Sequence, residues 1–134
     1  MTGTKTVKRL RVLPVALLLL SVACIAGDSG GVTIDGGAAG STVTLDEGDT
    51  LRVELEGNPT TGYEWQVSAV DDAVLLYEDS DFDADSDAEG SSGTVTLTFD
   101  AVGAGATLLE LIERPSWEPP SDSHRRFSVN IRVE

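Results

Sequence analysis

At 134 residues with a formal net charge of −14, the chain has the length of one domain and a strongly acidic balance. Lys5, Lys8, Arg9 and Arg11 are the only charges in the first 23 residues; from residue 24 onward five arginines stand against 23 acids, a net charge of −18 with no lysine. That distribution excludes a nucleic-acid binder, which needs a basic stripe to neutralise phosphates. It fits either a salt-loving source, where ions screen the self-repulsion, or an ordinary acidic exported domain.

Residues 1–23 read as a secretory signal: a positive start, an apolar run from Val12 to Leu20 broken only by Pro14, then the small residues Ser21 to Ala23. The run is too short to span a bilayer as a helix, which takes about 20 residues. Leu20-Ser21-Val22-Ala23-Cys24 resembles a prokaryotic lipobox, with Ser21 where leucine is usual. In such signals the cysteine is lipidated and becomes the first mature residue. The expectation is therefore an exported protein held on the membrane through Cys24, the only cysteine, with its domain outside the cytoplasm. A single thiol closes no internal disulfide, so the domain must rely on its core. Residues 24–31, small and glycine-rich, are expected to be a flexible spacer, and residues 32–134 the folded domain.

Along the domain, period-2 runs alternate with turn signals, and no segment has helical periodicity. Val32–Asp35 and Ser41–Asp46 are short candidate strands. Thr50–Glu56 puts Leu51, Val53 and Leu55 on one face and Arg52, Glu54 and Glu56 on the other, the mark of a half-buried strand. Tyr63–Val70 resumes the pattern through Tyr63, Trp65 and Val67. Ala73–Tyr77 is a short apolar strand. Glu78–Glu89 carries seven acids and is expected to be a solvated, mobile loop, since blocks of like charge resist order. Gly93–Ala101 alternates through Val95, Leu97 and Phe99. Ala106–Glu113 is apolar at both parities, which suits a central strand. Arg125–Glu134 closes the chain with Phe127, Val129, Ile131 and Val133 inward. Seven or eight short strands without a helix imply an all-β, antiparallel β-sandwich.

The sequence offers little to catalysis. There is one histidine, His124, expected to be an exposed loop residue, and there is no Gly-x-Ser-x-Gly elbow, Cys/His pair or metal-spaced histidine cluster. No enzyme activity, metal or cofactor is expected. Asp79, Asp81, Asp83, Asp85 and Asp87 recur at every second position and raise the alternative of a calcium-dependent adhesion site, but the turn glycine and terminal glutamate of an EF-hand loop are missing.

Two loops have unusual chemistry. In Asn58-Pro59-Thr60-Thr61-Gly62-Tyr63, Pro59 fixes its own φ, Asn58 is pushed toward an extended conformation, and Gly62 permits a turn a β-carbon would oppose. In Arg114-Pro115-Ser116-Trp117-Glu118-Pro119-Pro120, three prolines stiffen the backbone around Trp117. Trp117 is either a core or lid residue, or an anchor presented to a partner, since an aromatic with an arginine on a preorganised loop is the make-up of a binding hot spot.

With Gly90-Ser91-Ser92-Gly93 between them in sequence, these loops resemble the signature of the chagasin family, inhibitors of papain-like cysteine peptidases: an Asn-Pro-Thr-Thr-Gly-aromatic loop, a glycine-rich loop and an Arg-Pro-aromatic loop. The first is complete. The second is a loose match to a Gly-x-Gly pattern, and the third has Ser116 inserted before Trp117. The final Arg126-Phe127-x-Val129 also agrees, so the resemblance covers the whole mature domain. It implies an immunoglobulin-like sandwich with the three loops at one end. It further implies reversible, non-covalent inhibition by a monomer that occludes the peptidase cleft. Asn58 would brace the first loop and Gly62 allow its turn, with Thr60 and Thr61 as contacts near the catalytic thiol. Trp117 would stack on the primed side of the cleft, Arg114 would brace or contact, and the Gly90–Gly93 loop would cover the other side. The alternative is a membrane-tethered binding module of the same fold with no peptidase as its target.

Overall fold

The computed structural model describes residues 30–134; the signal segment, Cys24 and the spacer as far as Ser29 lie outside the described residues. Eight strands follow in order: β1 (Gly31–Asp35), β2 (Thr42–Leu45), β3 (Thr50–Gly57), β4 (Tyr63–Ala69), β5 (Leu75–Ala84), β6 (Gly93–Ala101), β7 (Gly105–Pro115) and β8 (Arg125–Val133). One sheet has the order β1-β3-β6-β5 and the other β2-β8-β7-β4. Among the described residues the only helical pieces are single 3-10 turns at Gly36–Ala38 and Pro59–Thr61.

The alternation of apolar residues builds the core between the sheets. Leu51, Val53 and Leu55 of β3, Leu97 and Phe99 of β6, Leu109 and Leu111 of β7, and Val129 and Ile131 of β8 are buried there. β7 is central in its sheet, between β8 and β4, as its apolar residues at both parities require. Its outer face is unevenly covered: Ile112 is buried, whereas Leu108 is 49% exposed.

The pairing is antiparallel except at two sheet edges. β1 runs parallel to β3 and β2 parallel to β8, so both sheets are mixed rather than purely antiparallel. β1 and β2 are successive but lie in different sheets, and the connection through Gly36–Ala38 crosses between them. The fold also begins earlier than expected. Gly30 N–H donates to Asp49 Oδ1 (3.0 Å), Thr50 N–H donates to Gly30 O (2.9 Å), and Gly31 pairs with Thr50. These are backbone interactions of the kind any residue can make, so the glycine-rich composition of Gly30-Gly31 carried no sign of them.

The acidic run departs most from expectation. Glu78 to Ala84 is not loop but the continuation of β5, paired with β6 from Leu75↔Ala101 to Ala84↔Gly93. A register shift between Tyr77 and Asp79 resets the phase. Beyond it Asp79, Asp81 and Asp83 stand opposite Thr98, Thr96 and Thr94, while Phe82 packs against the core opposite Val95. The every-second-residue spacing of these aspartates is thus the period of a strand with a solvated face. β5 is an edge strand, and charges along an edge deter pairing with another chain. Only Asp85 to Ser92 forms the connecting hairpin loop.

Strand ends define two poles. Gly57 pairs with Gly93, Ala84 with Gly93, Tyr63 with Pro115 and Arg125 with Glu113, which gathers the loops after β3, β5 and β7 at one pole. At the other, Gly30 meets Asp49, Ala101 N–H donates to Asp49 O (2.9 Å), and Glu47 N–H donates to Glu134 O (3.1 Å). The described chain therefore begins at the pole opposite the three loops.

Candidate functional site

The loop after β3 is a self-bonded knot. Pro59 opens the 3-10 turn, and Asn58 caps it: its Oδ1 accepts from Thr60 N (3.2 Å) and from Thr60 Oγ1 (2.5 Å). Thr61 Oγ1 donates to Asn58 O (2.7 Å), and Gly62 N–H donates to Pro59 O (3.0 Å). Gly62 then leaves the turn at φ 88°, ψ −6°, a left-handed conformation that favours glycine. Thr60 and Thr61 are exposed, but both hydroxyls are engaged inside the loop. The main-chain N–H groups of Thr60, Thr61 and Gly62 are engaged there as well.

Asn58 also reaches sideways. Its Nδ2 donates to Gly90 O in the β5–β6 hairpin (2.8 Å), joining residues 32 positions apart. Gly90 is itself left-handed (φ 75°). Gly93, at the start of β6, lies so close to β5 that a β-carbon would sit 2.1 Å from Asp83 O. The two glycines of Gly90-Ser91-Ser92-Gly93 thus have separate causes, a turn and a close backbone approach. Between them Ser91 is tied to Ser86 Oγ (3.2 Å) and Ser92 O (2.9 Å).

The third loop begins where β7 ends. Pro115 is fully buried and still paired with Tyr63 of β4. Glu118 N–H donates to Pro115 O (3.1 Å), which closes a β-turn with Ser116 and Trp117 at its corners. Ser116 therefore occupies a turn corner, and Trp117 still meets the first loop: a β-carbon on Gly62 would lie 2.7 Å from Trp117 Cη2. The indole rests along Gly62 yet is 71% exposed, so Trp117 is no core residue. The Arg114 guanidinium folds back on its own loop, with Nη1 donating to the main-chain oxygens of Glu118 and, at 3.4 Å, of Pro115. Its Nε is buried without a hydrogen-bond partner.

His124 corrects the expectation of an exposed loop residue: it is 8% exposed. Its Nδ1 accepts from Ser121 N–H (3.1 Å), so Nε2 carries the proton and donates to Glu118 Oε1 (3.1 Å). Tyr63 stands edge-on to the imidazole, 6.3 Å between ring centres. Nothing in the polar stretch Ser121-Asp122-Ser123 announces this burial, because it depends on how the loop folds back. Beneath the rim, Arg125 links the sheets. Its Nε donates to the buried Glu113 carboxylate (2.8 Å), its Nη2 to Glu56 O (2.9 Å), and its guanidinium lies over Trp65 at 5.3 Å. The hydrogen bond that Arg125 donates to Glu113 outweighs desolvation and raises the Arg125 pKa above its ordinary value. Trp65 Nε1 shares the Glu56 oxygen at 3.0 Å.

Three loops far apart in sequence thus form one connected rim on a β-sandwich, and among the described residues no group of three metal-ligating side chains accompanies it. A β-sandwich that gathers connecting loops at one end is a scaffold on which binding sites are commonly built. The model of the chagasin family of peptidase inhibitors (I42) matches residues 44–131, and the chain belongs to that family. It is similar to chagasin of Trypanosoma cruzi, 28% identical over 99 residues (70% of this chain, 90% of the relative). It is also similar to amoebiasin-1 of Entamoeba histolytica, 30% identical over 94 residues (70% and 91%). Among solved structures, a cysteine protease inhibitor of Entamoeba histolytica superposes with a TM-score of 0.67 at 16% identity, covering 81% of this chain and all of that one. The protein is accordingly a chagasin-family peptidase inhibitor with an immunoglobulin-like sandwich, and not an enzyme.

Proposed function

We propose that the domain inhibits papain-like cysteine peptidases reversibly and without covalent chemistry, by laying this rim across the active-site cleft. The Asn58–Tyr63 loop would sit centrally near the catalytic thiol, Trp117 on one side and the Gly90–Gly93 loop on the other. The observation that carries this reading is the lateral wiring of the rim: Asn58 holds Gly90, and Gly62 lies under Trp117. Loops fixed to one another before docking lose little entropy on binding, which favours tight occlusion without a reacting group. With their hydroxyls engaged internally, Thr60 and Thr61 would meet the peptidase through backbone and methyl groups.

Purified residues 25–134 should block a papain-like peptidase at low concentration, with Trp117→Ala and Thr61→Ala weakening inhibition while the domain stays folded. A papain-like enzyme left fully active by a large excess would remove the reading. We propose further that Cys24 carries lipid and tethers the domain to a membrane. The pole from which Gly30 leaves the sandwich is opposite the rim, so such a tether would leave the three loops clear of the bilayer. Metabolic labelling with a palmitate analogue, lost in Cys24→Ser, tests this.

A further inference from the structure

Trp117 is mostly exposed, and its own ring touches the protein along Gly62. A side chain so placed swings freely unless its backbone is held. On its N-terminal side, Pro115 is buried and paired in β7. On its C-terminal side, Glu118 is held three times: its N–H donates to Pro115 O, its main-chain oxygen accepts from Arg114, and its carboxylate accepts from His124 Nε2. Arg114 belongs to the family motif; His124 and Glu118 do not. His124 is in turn fixed by Ser121 N–H at Nδ1, by its burial and by the edge of Tyr63, the residue that ends the first loop.

We propose that His124 and Glu118 form a latch that positions Trp117 over Gly62 and so joins the third loop to the first. The latch is a hydrogen-bond relay, Ser121 N–H to Nδ1 and Nε2–H to carboxylate, in which either end can be cut separately. It rests on the inhibitory reading for its purpose but not for its existence. Without it the turn at Ser116–Trp117 keeps its own Glu118 N–H to Pro115 O bond and the Arg114 tie, and the Glu118 side chain no longer anchors it to His124. Holding the indole again at the moment of docking then weakens inhibition roughly three- to tenfold, the entropy of one side chain immobilised on binding.

Glu118→Ala cuts the latch at its solvent-exposed end, where unfolding is no concern. Glu118→Gln keeps an acceptor for Nε2–H. His124→Phe removes both imidazole hydrogen bonds while filling the space beside Tyr63. The first readout is the NMR shift of the Gly62 α-protons, which the indole ring current displaces in the native chain and which Trp117→Ala abolishes. The second is the inhibition constant against papain. In Glu118→Ala and His124→Phe the Gly62 shift should move toward that of Trp117→Ala and inhibition should weaken as stated, with Glu118→Gln close to the native chain in both. A Gly62 shift unmoved in Glu118→Ala, or Glu118→Gln behaving as Glu118→Ala, overturns the latch. The NMR readout needs no peptidase: a native chain that fails to inhibit refutes the proposed function and leaves the latch to be judged on Gly62 alone.

Discussion

Gly62→Ala probes the contact that unites the rim, and its cost divides into two parts. The first is backbone strain. Gly62 sits at φ 88°, and an L-residue held in the left-handed region costs about 1–2 kcal/mol. The second is steric. The new β-carbon would lie 2.7 Å from Trp117 Cη2 and 3.3 Å from Cζ3. Carbon pairs rest at roughly 3.5–4.0 Å, so the ring must withdraw by about 1 Å. Because the indole is the exposed end of a flexible side chain, its retreat adds little to unfolding. The stability loss should therefore be the strain alone, about 1–2 kcal/mol, a fall in Tm of roughly 4–8 °C per kcal/mol for a domain of this size. Inhibition should lose more than strain, because Trp117 has left its place. Thermal unfolding and inhibition constants for Gly62→Ala, Trp117→Ala and the double variant separate the two parts. The strain should appear in both backgrounds, and the extra loss of inhibition only where Trp117 is present. Native-like stability in Gly62→Ala would refute the conformational argument. An inhibitory cost equal in both backgrounds would refute the seating of Trp117 on Gly62.

Three further outcomes follow from the same structure. Glu113→Ala removes the acceptor of Arg125 Nε; with the arginine side chain half exposed the loss should be about 1 kcal/mol in urea denaturation, and no loss would mean that this ion pair carries no energy. The hydrogen bond and charge of Asp100 raise the Glu78 pKa above 4.5, so the folded chain is favoured at low pH and that contribution is lost as pH rises through the raised value; Glu78→Gln should flatten this part of the Tm–pH curve, and parallel curves for the two proteins would contradict it. The acids along the β5 edge repel one another, so Tm should climb as NaCl is raised from about 0.1 M to about 2 M, and a flat response would show that self-repulsion is not what limits stability.

What could be read in the sequence divides along physical lines. Strands with one buried face announce themselves, because burial imposes a two-residue period: β3, β6 and β8 follow from Leu51 to Leu55, Val95 to Phe99 and Phe127 to Val133. The start of β5 is legible in Leu75 to Tyr77, but its continuation hides because it lies on an edge strand whose one large apolar residue beyond the register shift is Phe82. With so few apolar residues, the aspartates at alternate positions look like a charged loop or a cation site. The parallel pairs β1–β3 and β2–β8 are backbone partnerships between short strands and leave no side-chain signature. At the rim, the bracing role of Asn58 was implied by the family resemblance, whereas the turn at Gly62 could be read from local stereochemistry. His124 could not, because its partners Glu118, Ser121 and Tyr63 come together only when the third loop folds back on β4.

The direction of the polar contacts at the rim explains why such short loops can act as one surface. Few of them point down into the core. Asn58 bonds across to Gly90, Trp117 lies across Gly62, and His124 bridges Glu118 and Tyr63, so each loop is braced by its neighbours. The sheets below are joined at the same level by Arg125, which holds Glu113 of one sheet and Glu56 of the other. Lateral bracing makes the positions of the loops interdependent, so a change in one should be felt in the next. That interdependence is itself measurable: variants at Asn58, Gly62 and Glu118 should combine non-additively, by the 0.5–3 kcal/mol characteristic of residues that share one network, whereas loops held only by the core beneath them would add.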